Sequence, residues 1–222
     1  MKALIFTSII TFSLLITLCN SIPAQKYHGE EKIVGGTLAR PGEFPFMAAM
    51  YFVMVGGFCT GTLIAPQWIL TAGQCYIYPV ATIYLGNYDW QLGTPYDAKQ
   101  FIVHENFHYG IFSFDVALVE LDVPAVIDGV NVATVPYLND NIRVLEGTMV
   151  TAAGWGKIGD IAPSWADHLR EVTVPVINHA ECAAVYGNAT TGLDFCLDTA
   201  GGKGICVVSS YMCTGADYIG RG

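Results

Sequence analysis

The chain has 222 residues, 53% of them apolar, a formal charge of −9 and no cluster of Lys or Arg. That balance argues against nucleic acid and anionic membrane surfaces as partners, since both are polyanions. A chain of this size buries a large core by packing alone, so its cysteines supplement the fold rather than replace it.

Lys2 is the only charge before an apolar run from Ala3 to Leu18, broken only by Thr and Ser, and Cys19-Asn20-Ser21 then supplies small residues. This layout predicts a secretory signal peptide over residues 1–21. The run is shorter than the roughly 20 apolar residues that a spanning helix needs. The expected product is extracellular, with no membrane attachment once the signal is removed. Cys19 leaves with that segment, and Cys59, Cys75, Cys182, Cys196, Cys206 and Cys213 remain. An even set in an oxidising compartment points to bridges. Asn188-Ala189-Thr190 is an acceptor sequence for N-glycosylation, which secretion would permit.

Beyond the polar segment at residues 22–32, the chain reads as β. Phe46 to Val55 and Phe58 to Ile64, joined across Gly56-Gly57, predict a hairpin. Further strands are expected over Ala81–Leu85, Lys99–Val103, Val116–Leu121, Thr148–Ala153 and Val172–Ile177, and a short helix over His179–Tyr186. Many short strands with frequent turns favour a sandwich or a pair of barrels.

Several short motifs follow one another. Lys32-Ile33-Val34-Gly35-Gly36 opens the series, and Phe58-Cys59-Thr60-Gly61-Thr62-Leu63-Ile64 precedes Trp68-Ile69-Leu70-Thr71-Ala72-Gly73-Gln74-Cys75 at close spacing. Next come Asp115-Val116-Ala117-Leu118, Ala153-Gly154-Trp155-Gly156-Lys157, and the stretch from Cys196 to Cys206. Their order and spacing resemble the chymotrypsin-like serine proteases, most closely the digestive chymotrypsin and collagenase-type members of arthropods. The resemblance runs from Ile33 to Cys206. It implies an all-β fold of two six-stranded barrels with the active site between them. It also implies cleavage after Lys32 to free Ile33, which makes residues 22–32 an activation peptide and 33–222 the peptidase-like domain. Disulfides Cys59–Cys75 and Cys182–Cys196 are implied as well.

The family's reaction needs a serine nucleophile, a histidine that takes its proton, and an aspartate that orients the imidazole. Asp115 matches the aspartate. Gln74 stands where the histidine belongs, and an amide does not titrate near neutral pH, whereas an imidazole has a pKa of about 6.5. After Cys206 the family reads Gly-Asp-Ser-Gly-Gly-Pro, but this chain reads Val207-Val208-Ser209-Ser210-Tyr211-Met212-Cys213. Ser210 matches the nucleophile by position only. Val208 replaces a glycine of the oxyanion hole, and Ser209 replaces the carboxylate that pairs with a freed Ile33 amino group. The family normally continues roughly 35 to 40 residues further, so the second barrel is expected to be incomplete, with an open strand edge.

His104-Glu105-Asn106-Phe107-His108 matches the zinc-peptidase pattern H-E-x-x-H, which needs both imidazoles on one helical face and a third ligand. Phe101-Ile102-Val103 before it reads as strand and Tyr109-Gly110 after it as turn, which disfavours zinc. Neither a metal nor any other cofactor is expected. His168 and His179 read as surface or structural residues. The expectation is a secreted, catalytically inactive homologue that binds a protein substrate, an inhibitor or an active relative. Two alternatives are an endopeptidase whose written C-terminal tail differs from the true product and, less well supported, a zinc peptidase.

Overall fold

Alternation of inward and outward side chains, punctuated by glycine turns, builds the first half of the molecule. The computed structural model describes residues 36–76, 81–108, 114–135, 145–156, 165–186, 196–198 and 218–221. The segments read as signal and activation peptide, 1–21 and 22–32, lie outside these residues, as do Ile33, Asn188, Cys206 and Ser210.

Strand β1 is Thr37–Leu38, and the predicted hairpin is present as β2 (Met47–Phe52) and β3 (Gly57–Ala65). They pair in antiparallel register, Tyr51 opposite Phe58 and Met47 opposite Thr62. Gly56 turns the hairpin with φ +61°, a left-handed conformation that costs a residue without Cβ little. Next come β4 (Trp68–Thr71), β5 (Thr82–Leu85), β6 (Thr94–Val103) and β7 (Ala117–Leu121). The six strands close as a barrel in the order β2-β3-β4-β7-β6-β5. Every second residue of β2 faces its interior. Met50 and Phe52 there join Leu63, Ile69, Ile83, Leu85, Val119 and Leu121 in a core from which water is excluded. Gly61 belongs to this packing, because a Cβ there would run into Ile69 Cγ2 and approach Leu70 O to 3.1 Å.

Within this barrel two elements, β6 and β4, depart most from the sequence reading. β6 begins at Thr94 rather than Lys99, because its first half pairs with β5 and its second half with β7, with a register shift between Ala98 and Gln100. Strand β4 carries one of the motifs but was not among the predicted strands. Its Trp68-Ile69-Leu70 is an unbroken apolar run, so no alternation marks it as strand.

The second half is a sheet in the order β1-β9-β8-β11, with β10 off β9. Here β8 is Met149–Gly154, β9 Arg170–Ile177, β10 Cys196–Leu197 and β11 Tyr218–Arg221. Val150, Ala152, Val172, Val174 and Val176 form its core. Among the described residues this sheet does not close into a barrel. Strand β11 pairs with β8, Ile219 opposite Ala152 and Arg221 opposite Val150, and the second barrel is incomplete as expected. Helix α1 (His179–Tyr186) follows β9. Asn178 caps it, its Oδ1 accepting from Glu181 N at 2.9 Å while its Nδ2 donates to Glu181 Oε1 at 3.0 Å.

A seam of backbone and aromatic contacts joins the halves. Tyr88 O accepts from both Leu169 N and the Trp155 indole Nε1, each at 2.8 Å. Asp89 and His168 form an isolated β-bridge, and the His168 ring lies 4.8 Å from that of Tyr88. Phe58 sits between Trp90 and Trp165, with centroids 5.3 and 5.5 Å away. Trp165 Nε1 also donates to Gly56 O at 3.2 Å, tying the hairpin turn to the second half.

Candidate functional site

The segment carrying Gln74 leaves β4 at Thr71 and makes one 3-10 turn, Gly73–Cys75. Three contacts fix it. The buried Thr71 hydroxyl donates to Thr60 O at 3.0 Å, on the neighbouring strand β3. Cys75 is bonded to Cys59, with Cα atoms 6.1 Å apart. The third contact is Asp115.

Asp115 precedes β7, whose first residue Ala117 lies opposite Thr71 in the β4–β7 register. That pairing brings the carboxylate to the 3-10 turn. Its Oδ1 accepts from the backbone N–H of Gln74 at 2.7 Å, and the carboxylate also bonds the backbone N–H of Gly73. Burial raises the pKa of Asp115 above the ordinary aspartate value, and the two N–H bonds pull it partly back. Phe114, just before it, has φ 53°, rare for a residue with a side chain. Its ring stacks on His104 at 4.9 Å and 15° between planes.

Gly73 is tightly enclosed. A Cβ on it would lie 3.1 Å from Phe107 Cγ and 3.3 Å from Asp115 Oδ1. Phe107 therefore covers the backbone next to Gln74 on the side of the aspartate. Reading the sequence alone gave Gly73 no role. The proximity of Phe107, 34 positions along the chain, is the signal it lacked.

The H-E-x-x-H segment does not form a helix. It follows the end of β6 at Val103 as a turn in which Phe107 N donates to His104 O at 2.9 Å. His104 Nδ1 accepts from Asn106 N at 3.1 Å, which occupies one of its two possible ligand atoms. Among the described residues no group of three His, Cys, Asp or Glu side chains is placed to hold a metal ion. The zinc alternative loses its geometric premise.

The structure thus brings together Gln74, Asp115 and the Cys59–Cys75 bridge. Cys196 is disulfide-bonded; the Cys182 side chain, Lys32, Ile33, Asn188 and Ser210 are outside the described residues. Among the described residues no helix is long and apolar enough to cross a membrane.

Comparison with known proteins accords with this architecture. The family model described as Trypsin matches residues 33–210. Brachyurin of Leptuca pugilator is 38% identical over 179 residues, covering 78% of this chain and 77% of that protein. Ovochymase of Halocynthia roretzi is 32% identical over 203 residues, 79% of this chain but 13% of its own length. A solved structure titled "Structure of GrC" superposes with a TM-score of 0.74 at 24% identity, over 84% of this chain and 83% of the other, and so shares the fold.

Proposed function

Since this chain belongs to the trypsin family of serine proteases, we propose that it is a secreted homologue that does not turn over peptide bonds and acts by binding. One observation carries the reading: Gln74 occupies the position where the family's reaction needs its general base. The reaction requires an imidazole that accepts the serine proton and returns it to the leaving amine. A carboxamide can hydrogen-bond but cannot hold that proton near neutral pH. The nearby carboxylate, Asp115, accepts from the backbone N–H groups of Gly73 and Gln74, and with an amide at position 74 it has no imidazole to orient.

Removing a single member of a Ser-His-Asp triad lowers turnover by on the order of 10⁴- to 10⁶-fold. The sequence around Ser210 departs from the nucleophile motif as well, with Val208 and Ser209 in place of glycine and aspartate. The two departures lie far apart in the sequence, so a change at one does not repair the other. Secretion is supported by the layout of residues 1–21 and by the Cys59–Cys75 bridge, which suits an oxidising compartment. The ligand class is a protein: a substrate, an inhibitor or an active relative whose surface fits a protease-shaped domain.

A fluorophosphonate probe tests this directly. The secreted chain is incubated with the probe and its intact mass recorded beside an active serine protease. The expected result is an unlabelled chain. Stoichiometric labelling at Ser210 would overturn the proposal.

A further inference from the structure

The connection after β7 exposes an unusual amount of branched apolar surface. Val123 is 52% exposed, Val126 75%, Ile127 41% and Val130 67%, all within eight consecutive positions. An exposed loop of this composition would ordinarily collapse or move. This one is braced. Asp128 Oδ1 accepts from the backbone N–H groups of Val130, Asn131 and Val132 at 2.8, 2.7 and 2.8 Å, and Oδ2 accepts from Asn131 Nδ2 at 3.1 Å. At its base, Ala125 N donates to Pro66 O at 2.7 Å, Val126 N to the Tyr96 hydroxyl at 3.2 Å, and Val132 is buried in the barrel core. The valines therefore stand on a pre-ordered support, which lowers the entropic cost of seating them in a partner.

The surroundings indicate the partner's chemistry. Residues 36–135, the half of the chain that carries this loop, hold eight acidic side chains and two basic ones, Arg40 and Lys99, for a net charge of −6. Lys99 Nζ is 2.6 Å from Glu120, and an Arg40 nitrogen is 3.6 Å from Glu43. One exposed acid adjoins the valines directly, Asp122, whose Oδ1 accepts from Val123 N at 2.8 Å; its own N–H donates at 3.0 Å to the backbone carbonyl of a second exposed acid, Asp97. A second copy on this face would set acid against acid, and an anionic lipid surface would be repelled in the same way. A segment with apolar anchors flanked by Lys or Arg meets both features.

We infer that the braced Asp122–Val132 loop is a docking surface for a basic, apolar-anchored protein segment. It is remote in the chain from Gln74, and it stands whether or not the Asp115 site can hydrolyse peptides.

The test uses the full secreted chain and a short synthetic peptide of alternating leucine and lysine, titrated by calorimetry. Matched peptides carry glutamate for lysine or serine for leucine. The lysine peptide is expected to bind, and the other two are not. Val126→Ser with Val130→Ser should weaken binding by about tenfold or more, the size of losing an interface anchor. Raising salt from about 50 to about 300 mM should weaken it as well, since screening acts on the flanking charges. Asp97→Asn with Asp122→Asn should flatten that salt dependence, and thermal melts would verify that both variants fold. The inference is overturned if no peptide binds, if the glutamate peptide binds as well, or if the valine variant binds unchanged. Self-association in sedimentation, or adsorption to neutral phospholipid vesicles, that the valine variant abolishes would also overturn it, in favour of a second copy or of lipid.

Discussion

The backbone N–H of Gln74 donates to Asp115 Oδ1 at 2.7 Å. This bond needs nothing from the side chain at position 74. Asp115 therefore keeps a structural use in holding the Gly73–Cys75 turn, whatever chemistry the turn supports. The proposed loss of chemistry turns on the identity of the side chain at 74, which this backbone bond leaves unspecified.

Gln74→His is accordingly expected to leave the fold intact and still give no measurable peptide hydrolysis, because Val208 and Ser209 remain in the nucleophile segment. Hydrolysis of a fluorogenic peptide panel, alongside a thermal melt, checks both halves of the statement. Recovery of turnover by this single change would show that the segment around Ser210 is functional.

Asp115 should make stability depend on pH in the unusual direction. Its pKa is raised above 3.8 by burial, so the folded chain binds the proton more tightly than the unfolded one. The contribution of this group is fully present below 3.8 and is lost as pH rises through the folded value. Relative to wild type, Asp115→Asn should therefore gain stability as pH climbs from acidic to neutral. Denaturant midpoints over that range measure it; a constant difference would contradict the assignment.

Asp128 should do the opposite. Three N–H bonds and the Asn131 amide hold its carboxylate far below its ordinary value of 3.8. Its contribution is fully present above 3.8 and is lost as pH falls toward the folded value. Asp128→Asn is expected to be destabilised at neutral pH, with the difference from wild type shrinking in acid. Melting temperatures of the two proteins, compared at both ends of that range, provide the check.

Gly73→Ala should destabilise the domain by about 1–3 kcal/mol, the usual range for overpacking a tight site. The new methyl would lie 3.1 Å from Phe107 Cγ, so the ring must yield by a few tenths of an ångström. Phe107→Leu should recover part of the loss when combined with it. A double-mutant cycle with no coupling between the two positions would show that the ring is not the obstacle.

The sequence carried the first barrel well, because its strands alternate and its turns hold glycine. Ala117, Val119 and Leu121 are buried while Leu118 and Glu120 are less so, and the period is visible in the letters. Short elements were harder. Thr37–Leu38, Cys196–Leu197 and Tyr218–Arg221 are strands only through their partners, which no local pattern encodes. In the candidate site, the identity of residue 74 was plain from the motif. The enclosure of Gly73 by Phe107 and the left-handed Phe114 were not, since both arise from tertiary contacts. The seam at Tyr88 was hidden for the same reason: a carbonyl accepting two bonds leaves no mark on the residue that owns it.

Strand β1 has a consequence for the order of assembly. Leu38 pairs with Arg170, and Arg170 Nη2 donates to Gly36 O across 134 positions of chain. During synthesis, Gly36 leaves the ribosome long before its partner does. The first barrel contains only nearer pairings and can close in the interval, whereas loop closure over so long a stretch makes the β1–β9 contact late and slow. A growing chain would thus carry a folded barrel with a loose leading end. The earliest part of the described protein to be made is among the last to find its place.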